Sequence, residues 1–71
     1  ITVNGQILPV EVKAGPQGKL KSLYQFMEEK KPPIGIRISE KALSLENGVV
    51  SIPFYMIHLL EKIVLESFSL A

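Results

Sequence analysis

The sequence predicts one small α/β domain over residues 1–71, in which a mixed sheet packs against two helices. Two Asn-Gly pairs, Asn4-Gly5 and Asn47-Gly48, each stand between short stretches rich in Ile, Leu and Val, which is typical of tight β-hairpins. Between these pairs, apolar residues recur at every third or fourth position, which predicts a helix. With 71 residues and 46% hydrophobic content, the chain has enough apolar surface for one core.

The first predicted element is a hairpin of residues 1–3 and 6–14 around Asn4-Gly5. Asn and Gly accept the positive φ angles that a type I′ turn requires. Side chains alternate along a strand, so one face of the second strand carries only apolar side chains. These are Leu8, Val10, Val12 and Ala14. Pro9 has no backbone N–H to donate, so we expect an edge position or an irregularity there.

The second predicted element is a helix over residues 18–31. It follows a turn rich in Gly and Pro, and the spacing of its apolar residues is helical. Those residues are Leu20, Leu23, Tyr24 and Met27. Lys30 and Lys31 suit the negative end of the helix dipole, and Pro32-Pro33 stops the helix.

The remaining elements are a strand, a short hairpin or strand, and a last helix. Residues 34–38 alternate like a strand and follow a crossover helix, which favours parallel pairing with the strand over residues 6–14. Asn47-Gly48 predicts either a small hairpin or a short strand entered by a turn. Pro53 suits the first position of a helix that extends to about residue 66.

The last helix is apolar around most of its circumference, with a narrow polar stripe formed by His58, Glu61 and Lys62. Such a helix is stable when it is buried on two sides, and a chain of this length has little material for the second side. We therefore expect self-association or contacts with further chain. His58 is interpreted as a surface or interface residue, because it has no second metal ligand nearby in the sequence.

Composition excludes several classes of site. The chain has no Cys and one His, which excludes disulfides, thiolate nucleophiles and multi-histidine zinc clusters. It also has no Asp, as the sequence shows, so it cannot form a Ser-His-Asp triad on its own. The longest stretch without a formal charge, residues 47–60, is shorter than a membrane span. We expect a cytoplasmic protein without a membrane partner, and the start at Ile1 without Met suggests a piece of a longer chain.

Basic residues are concentrated in the middle of the chain. The net charge is +1, yet residues 13–41 contain seven basic side chains against three glutamates. This asymmetry is compatible with a surface that faces phosphates, and equally with a solvated helix face. Lys19 and Lys21 lie at the start of the first predicted helix and are the candidate nucleic-acid contacts, with a solvated helix start as the alternative.

Glu11-Val12-Lys13 is the most informative short motif. Its spacing places a carboxylate and an ammonium on one face of a strand just before a glycine turn. In a metal-dependent phosphodiesterase such a carboxylate holds Mg²⁺ or Mn²⁺, and the Lys positions the attacking water or offsets charge on the phosphate. The alternative is an ordinary surface pair, which is common on strands.

Four stretches together closely resemble one prokaryotic family. They are ILPVEVKAG, GKLKSLYQF, GIRIS and SIPFY, at residues 7–15, 18–26, 35–39 and 51–55. The chain resembles the C-terminal domain of unknown function that follows an AAA-type ATPase domain and looks like a PD-(D/E)XK nuclease, that is, part of a restriction-endonuclease-like fold.

The resemblance implies that Glu11 and Lys13 match the E-x-K half of the nuclease motif, with Glu11 as metal ligand. It also implies a catalytic role for Gln25 on the following helix, where relatives often carry a polar residue. The Asp that completes such a metal site is missing, because this chain has no Asp. We therefore expect a fragment without nuclease activity of its own. Mg²⁺ or Mn²⁺ would require an upstream Asp, and ATP would bind only in the upstream domain.

Two functions follow from these observations. The first is a nuclease-like end of an ATPase that contacts nucleic acid and is catalytically incomplete alone. The second is a non-catalytic interaction or oligomerisation module of the same ATPase. In either case we expect a homo-oligomer, because the strand over residues 1–3 leaves an open edge and the last helix leaves an apolar face.

Overall fold

The computed structural model describes residues 1–12 and 21–70, and it is a mixed α/β fold as predicted. Its elements in chain order are β1 (Thr2–Val3), β2 (Gln6–Ile7), β3 (Val10–Val12), α1 (Lys21–Lys30), β4 (Gly35–Ser39), β5 (Ser44–Glu46), β6 (Val49–Pro53), a 3₁₀ helix (Phe54–Leu59) and α2 (Leu60–Leu70). Among these described residues, neither α-helix is long and apolar enough to cross a membrane.

The strands form two sheets. β1 and β2 make a small antiparallel sheet, and the other strands make a four-stranded sheet in the order β3-β4-β6-β5. β4 is parallel to both β3 and β6, whereas β5 and β6 are antiparallel. The parallel pairing across the crossover helix was predicted from the order of the elements, and the structure confirms it.

Both Asn-Gly pairs form tight hairpin turns. The φ angles are 54° at Asn4 and 78° at Gly5, and 52° at Asn47 and 76° at Gly48. Two consecutive residues with positive φ are characteristic of the type I′ turn, whose twist matches that of the flanking strands. Both hairpin predictions are confirmed, including the hairpin alternative at Asn47-Gly48.

The predicted strand over residues 6–14 is not continuous in the described part. β2 ends at Ile7 and β3 begins at Val10, so the chain passes from one sheet to the other at Leu8 and Pro9. Pro9 donates no hydrogen bond, and its carbonyl oxygen accepts one from the Ile36 N–H at 3.0 Å. The irregularity expected at Pro9 is thus present, and residues 13 and 14 lie outside the described residues.

The end of α1 matches the prediction closely. The helix ends at Lys30, and the Lys31 N–H donates to the Met27 carbonyl oxygen at 2.9 Å. Lys31 adopts a φ of 50°, the left-handed conformation in which many helices end, and Pro32 follows. The predicted start at residue 18 lies outside the described residues.

The last helix begins and ends later than predicted. Pro53 is the last residue of β6 and the N-cap of the 3₁₀ helix, with an extended backbone at φ −63° and ψ 149°, so it is not the first helical residue. The 3₁₀ segment runs directly into α2, which continues past residue 66 to Leu70. A proline has a fixed φ that suits both a strand end and a helix start, and its pairing with Ser39 keeps it in the sheet.

The two α-helices cover opposite faces of the four-stranded sheet. On one face, alternate residues of β4 and β6 form an apolar core with Val64 of α2. The strand residues of this core include Ile36, Ile38, Val50 and Ile52. On the other face, α1 passes close over Gly35, where an added Cβ would lie 2.7 Å from Met27 Sδ. The first of these faces is called the α2 face below and the second the α1 face.

Candidate functional site

Glu11 is the central residue of β3, and its side chain is half-buried. β3 lies at one edge of the four-stranded sheet and pairs with β4. Side chains alternate along a strand, so Glu11 points to the face opposite that of Val10, which packs against the core of the α2 face. Glu11 therefore lies on the α1 face.

Arg37 is the residue of β4 in register with Glu11. Residues in register on parallel strands point to the same face, and neighbouring strands lie about 4.8 Å apart. Arg37 is only 6% exposed, although it carries a permanent positive charge. The sheet thus places Arg37 next to the Glu of the E-x-K motif on the neighbouring strand.

The polar row continues across the sheet. Ser51 of β6 is in register with Arg37, and Ser44 of β5 is in register with Ser51. Ser39, two residues beyond Arg37, is fully buried on the same face, and its Oγ accepts a hydrogen bond from the Lys41 N–H at 3.1 Å. Polar side chains from all four strands therefore share the α1 face.

Glu11 also lines an open groove of about 450 Å³ between β3 and α1. Ser22, Leu23 and Phe26 of α1 form its other wall, and residues of the first hairpin complete it. The walls are mostly apolar, and among the described residues that line them Glu11 and Ser22 are the ones with hydrogen-bonding side chains. A ligand that contacts Glu11 through the described residues would bind in this groove.

The structure brings together only part of the predicted site. Gln25 is exposed on α1 and is not among the residues that line the groove with Glu11. Lys21 is the first residue of α1, whereas Lys13 and Lys19 lie outside the described residues. On α1, Ser22 lines the groove together with Glu11 and Gln25 does not.

Arg37 is the residue that sequence reasoning missed. It was counted only as one of the basic residues in the middle of the chain. Its strand, Gly35-Ile36-Arg37-Ile38-Ser39, alternates small or polar with large apolar residues, which does indicate an Arg on a face of its own. Its position beside Glu11 depends on the register between β3 and β4, which are distant in sequence. No local sequence pattern predicts that register.

The surroundings of Glu11 do not fit a divalent cation. Mg²⁺ sites are octahedral sets of oxygen ligands, in which one or two carboxylates are joined by waters or substrate phosphates, and a metal-dependent nuclease site uses two carboxylates. Among residues 1–12 and 21–70, no three His, Cys, Asp or Glu side chains are grouped so as to hold a metal ion. The sequence of residues 13–20 contains no Asp, Glu or His either. The side chain in register with Glu11 is a cation, which repels a metal ion.

A second surface feature is the apolar side of the 3₁₀ helix. Tyr55 is 78% exposed and Ile57 is 51% exposed, and both lie away from the core. Other exposed apolar side chains nearby in sequence are Phe54, Leu59 and Leu65. His58 is exposed among them, as expected for a surface residue. The last helical segment therefore buries one side and leaves the other open, in keeping with its apolar circumference.

No protein-family model, curated protein or solved structure matches the chain. The resemblance to the ATPase C-terminal domain therefore remains a prediction from sequence. The structural features that bear on function are the α1 face and the exposed apolar surface.

Proposed function

We propose that this chain is the nuclease-like C-terminal module of a prokaryotic AAA-type ATPase, and that it contacts nucleic acid in the cytoplasm without cutting it. The observation that carries the proposal is the setting of Glu11. It lies on an edge strand that is followed by a helix and then by a parallel strand. The resemblance implies that this strand carries the E-x-K half of a nuclease motif.

The proposal assigns no catalytic activity to the isolated chain. A metal-dependent nuclease needs a second carboxylate near the first, and this chain has no Asp to supply it. An Asp on an upstream strand of a longer protein would be required to complete a catalytic Mg²⁺ or Mn²⁺ site. ATP binding and hydrolysis belong to the proposed upstream domain.

Contact with nucleic acid is supported by basic residues at the two ends of α1. Lys30 and Lys31 are exposed at the end of α1, and Lys21 begins the same helix. Phosphate backbones attract such clusters without regard to base sequence, and the resulting affinity falls as salt rises. Together with Lys19, these residues are the proposed phosphate contacts.

The test is fluorescence anisotropy of labelled duplex and branched DNA with the 71-residue chain. Lys21→Glu is compared with Lys62→Glu, which makes the same charge change on exposed α2, against the opposite face of the sheet. We expect weak, salt-dependent binding that Lys21→Glu lowers about tenfold and Lys62→Glu hardly changes. Equal losses in both variants would indicate an unspecific charge effect, and absence of binding at low salt would refute the nucleic-acid contact. Incubation with Mn²⁺ should leave the DNA intact.

A second function, a non-catalytic interaction module, is favoured by the exposed apolar side of the 3₁₀ helix. Apolar side chains this exposed are typical of surfaces that meet another protein or a second copy. We expect light scattering to detect a dimer or larger species, and Tyr55→Ser with Ile57→Ser to shift it to the monomer. If the wild-type chain is monomeric at all concentrations, this function loses its support. If the double variant still associates, the open edge of β1 becomes the better candidate.

A further inference from the structure

We infer that Arg37 is the built-in counter-ion of Glu11 and occupies the electrostatic place that a divalent cation takes in a metal-dependent nuclease. The inference rests on the proposed function only in treating Glu11 as the E-x-K glutamate. The coupled Glu11–Arg37 pair itself, which excludes metal ions, is inferred from the geometry of the sheet.

The geometry comes from strand register. β4 is an inner strand, with β3 on one side and β6 on the other. The residue in register with Arg37 on β3 is Glu11, and the residue in register on β6 is Ser51. Of these two neighbours on the α1 face, Glu11 is the one that carries a negative charge.

Burial makes this placement energetically important. Arg37 is only 6% exposed, and a guanidinium keeps its charge at every physiological pH. A buried charge is tolerated when an opposite charge lies close to it, and removal of one partner is strongly destabilising. Glu11, half-buried on the neighbouring strand, is the carboxylate placed to compensate Arg37.

The same pair disfavours a metal ion at Glu11. A divalent cation would have to share one carboxylate with a guanidinium on the adjacent strand, and like charges at such separations repel. No Asp exists in the chain to offset this repulsion, and residues 13–20 add no carboxylate. Arg37 is thus a positioning residue: it holds the Glu11 carboxylate on the α1 face and keeps that face independent of metal ions.

The first test titrates Mn²⁺ into the isotopically labelled chain and follows paramagnetic broadening of amide signals by NMR. We expect no selective broadening at Glu11 and its strand neighbours in the wild-type chain. Arg37→Gln should create selective broadening there, and the additional change Glu11→Gln should abolish it. Selective broadening of β3 signals in the wild-type chain, at the Mn²⁺ concentrations that broaden them in Arg37→Gln, would overturn the inference.

The second test is a double-mutant cycle on unfolding by urea, with Glu11→Gln, Arg37→Gln and the double variant. We expect the double variant to differ from the product of the single effects by about tenfold in the unfolding equilibrium constant, because each single change leaves one charge uncompensated. Simple multiplication of the single effects would overturn the inference. If Arg37→Gln does not fold, Arg37→Lys replaces it in both tests. Because Lys keeps the positive charge, Arg37→Lys should show no selective Mn²⁺ broadening, and it should be more stable than Glu11→Gln, which removes the negative charge. Arg37→Lys with selective Mn²⁺ broadening at β3 would also count against the pair.

These tests are independent of DNA binding. The Glu11–Arg37 coupling is measured on the free chain, whereas the proposed function is judged by anisotropy with Lys21→Glu. A coupled, metal-free pair in a chain that binds no DNA would refute the proposed function and leave the inference intact. Metal binding at Glu11 in a chain that does bind DNA would refute the inference and leave the proposed function intact.

Discussion

The two faces of the four-stranded sheet are built from alternate residues of the same strands, yet they differ in chemistry. On the α2 face, β4 and β6 contribute only Ile and Val to the core. On the α1 face, the same strands contribute the polar Arg37, Ser39 and Ser51 beside Gly35, Val49 and Pro53, all of them buried. The two faces are therefore equally buried. They differ in that the α1 face contains polar groups that need hydrogen-bonding or charged partners.

The difference indicates a division of roles. Each fully buried Ile or Val on the α2 face stabilises the fold by about 1.5–3 kcal/mol, without any requirement for precise partners. A buried polar group on the α1 face stabilises the fold only when its hydrogen bonds and charges are matched. A small domain that buries such polar groups has a smaller margin of stability than one with an apolar face there.

The largest expected effect is on the α2 face. Ile52→Ala removes a side chain that is fully buried, and we expect a loss of about 3 kcal/mol in the free energy of unfolding, measured with urea. Ile57→Ala, at a side chain that is half exposed, is the control and should cost less than about 1 kcal/mol. Comparable losses in both variants would contradict the assignment of the core to this face.

An intermediate effect is expected where α1 crosses the sheet. Gly35→Ala places a Cβ 2.7 Å from Met27 Sδ and 3.3 Å from Leu23 Cδ1, so α1 or the Met27 side chain must shift. We expect a loss of about 1–2 kcal/mol in the free energy of unfolding. The Met side chain is flexible, so its response decides the size of the loss.

The control for this prediction is Met27→Ala, alone and combined with Gly35→Ala. If the close approach causes the loss, Gly35→Ala should cost markedly less in the Met27→Ala background. An equal cost in both backgrounds would show that the backbone preference of Gly35, rather than α1, is responsible.

The smallest expected effect compares one buried hydroxyl near each helix. Ser39→Ala leaves the Lys41 N–H without the Oγ that accepts its hydrogen bond, and we expect a loss of about 1 kcal/mol. Ser67→Ala on α2 removes an Oγ that donates to the Ile63 carbonyl oxygen at 2.8 Å. That carbonyl lies within the helix, and Ala is the better helix former, so we expect a change near zero. Thermal unfolding of both variants checks the order, and a larger loss for Ser67→Ala would weaken the contrast between the faces.

The order of the elements was predictable because local chemistry specifies each of them. Asn4-Gly5 and Asn47-Gly48 accept positive φ angles, and both form the expected turns. The prolines were harder to interpret. Pro9 allowed the expected irregularity, but only the structure shows that the chain changes sheets there. Pro53 was assigned to a helix although it ends a strand, because its fixed φ is compatible with both.

The candidate site was predictable only in part. Glu11 was found because Glu-x-Lys is a pattern within one strand, and strand alternation correctly separates it from Val10 and Val12. Gln25 was carried over from a family resemblance, and on α1 it lies outside the groove that Glu11 lines. Ser22 lines that groove because of the rotation of α1 about its axis, which depends on how the helix packs on the sheet.

The sequence by itself determined the turns, the end of the helix before Pro32-Pro33, the alternation of the strands and the parallel crossover, because these depend on neighbouring residues and on chain connectivity. Only the tertiary structure decided that Glu11 lies in register with Arg37 and that Ser51 and Ser44 continue the row. Strand register is set by how the apolar residues of distant segments pack together, and a shift by one residue would turn each side chain to the other face. The register that buries Ile36 and Ile38 against α2 is therefore also the register that places a cation beside the carboxylate.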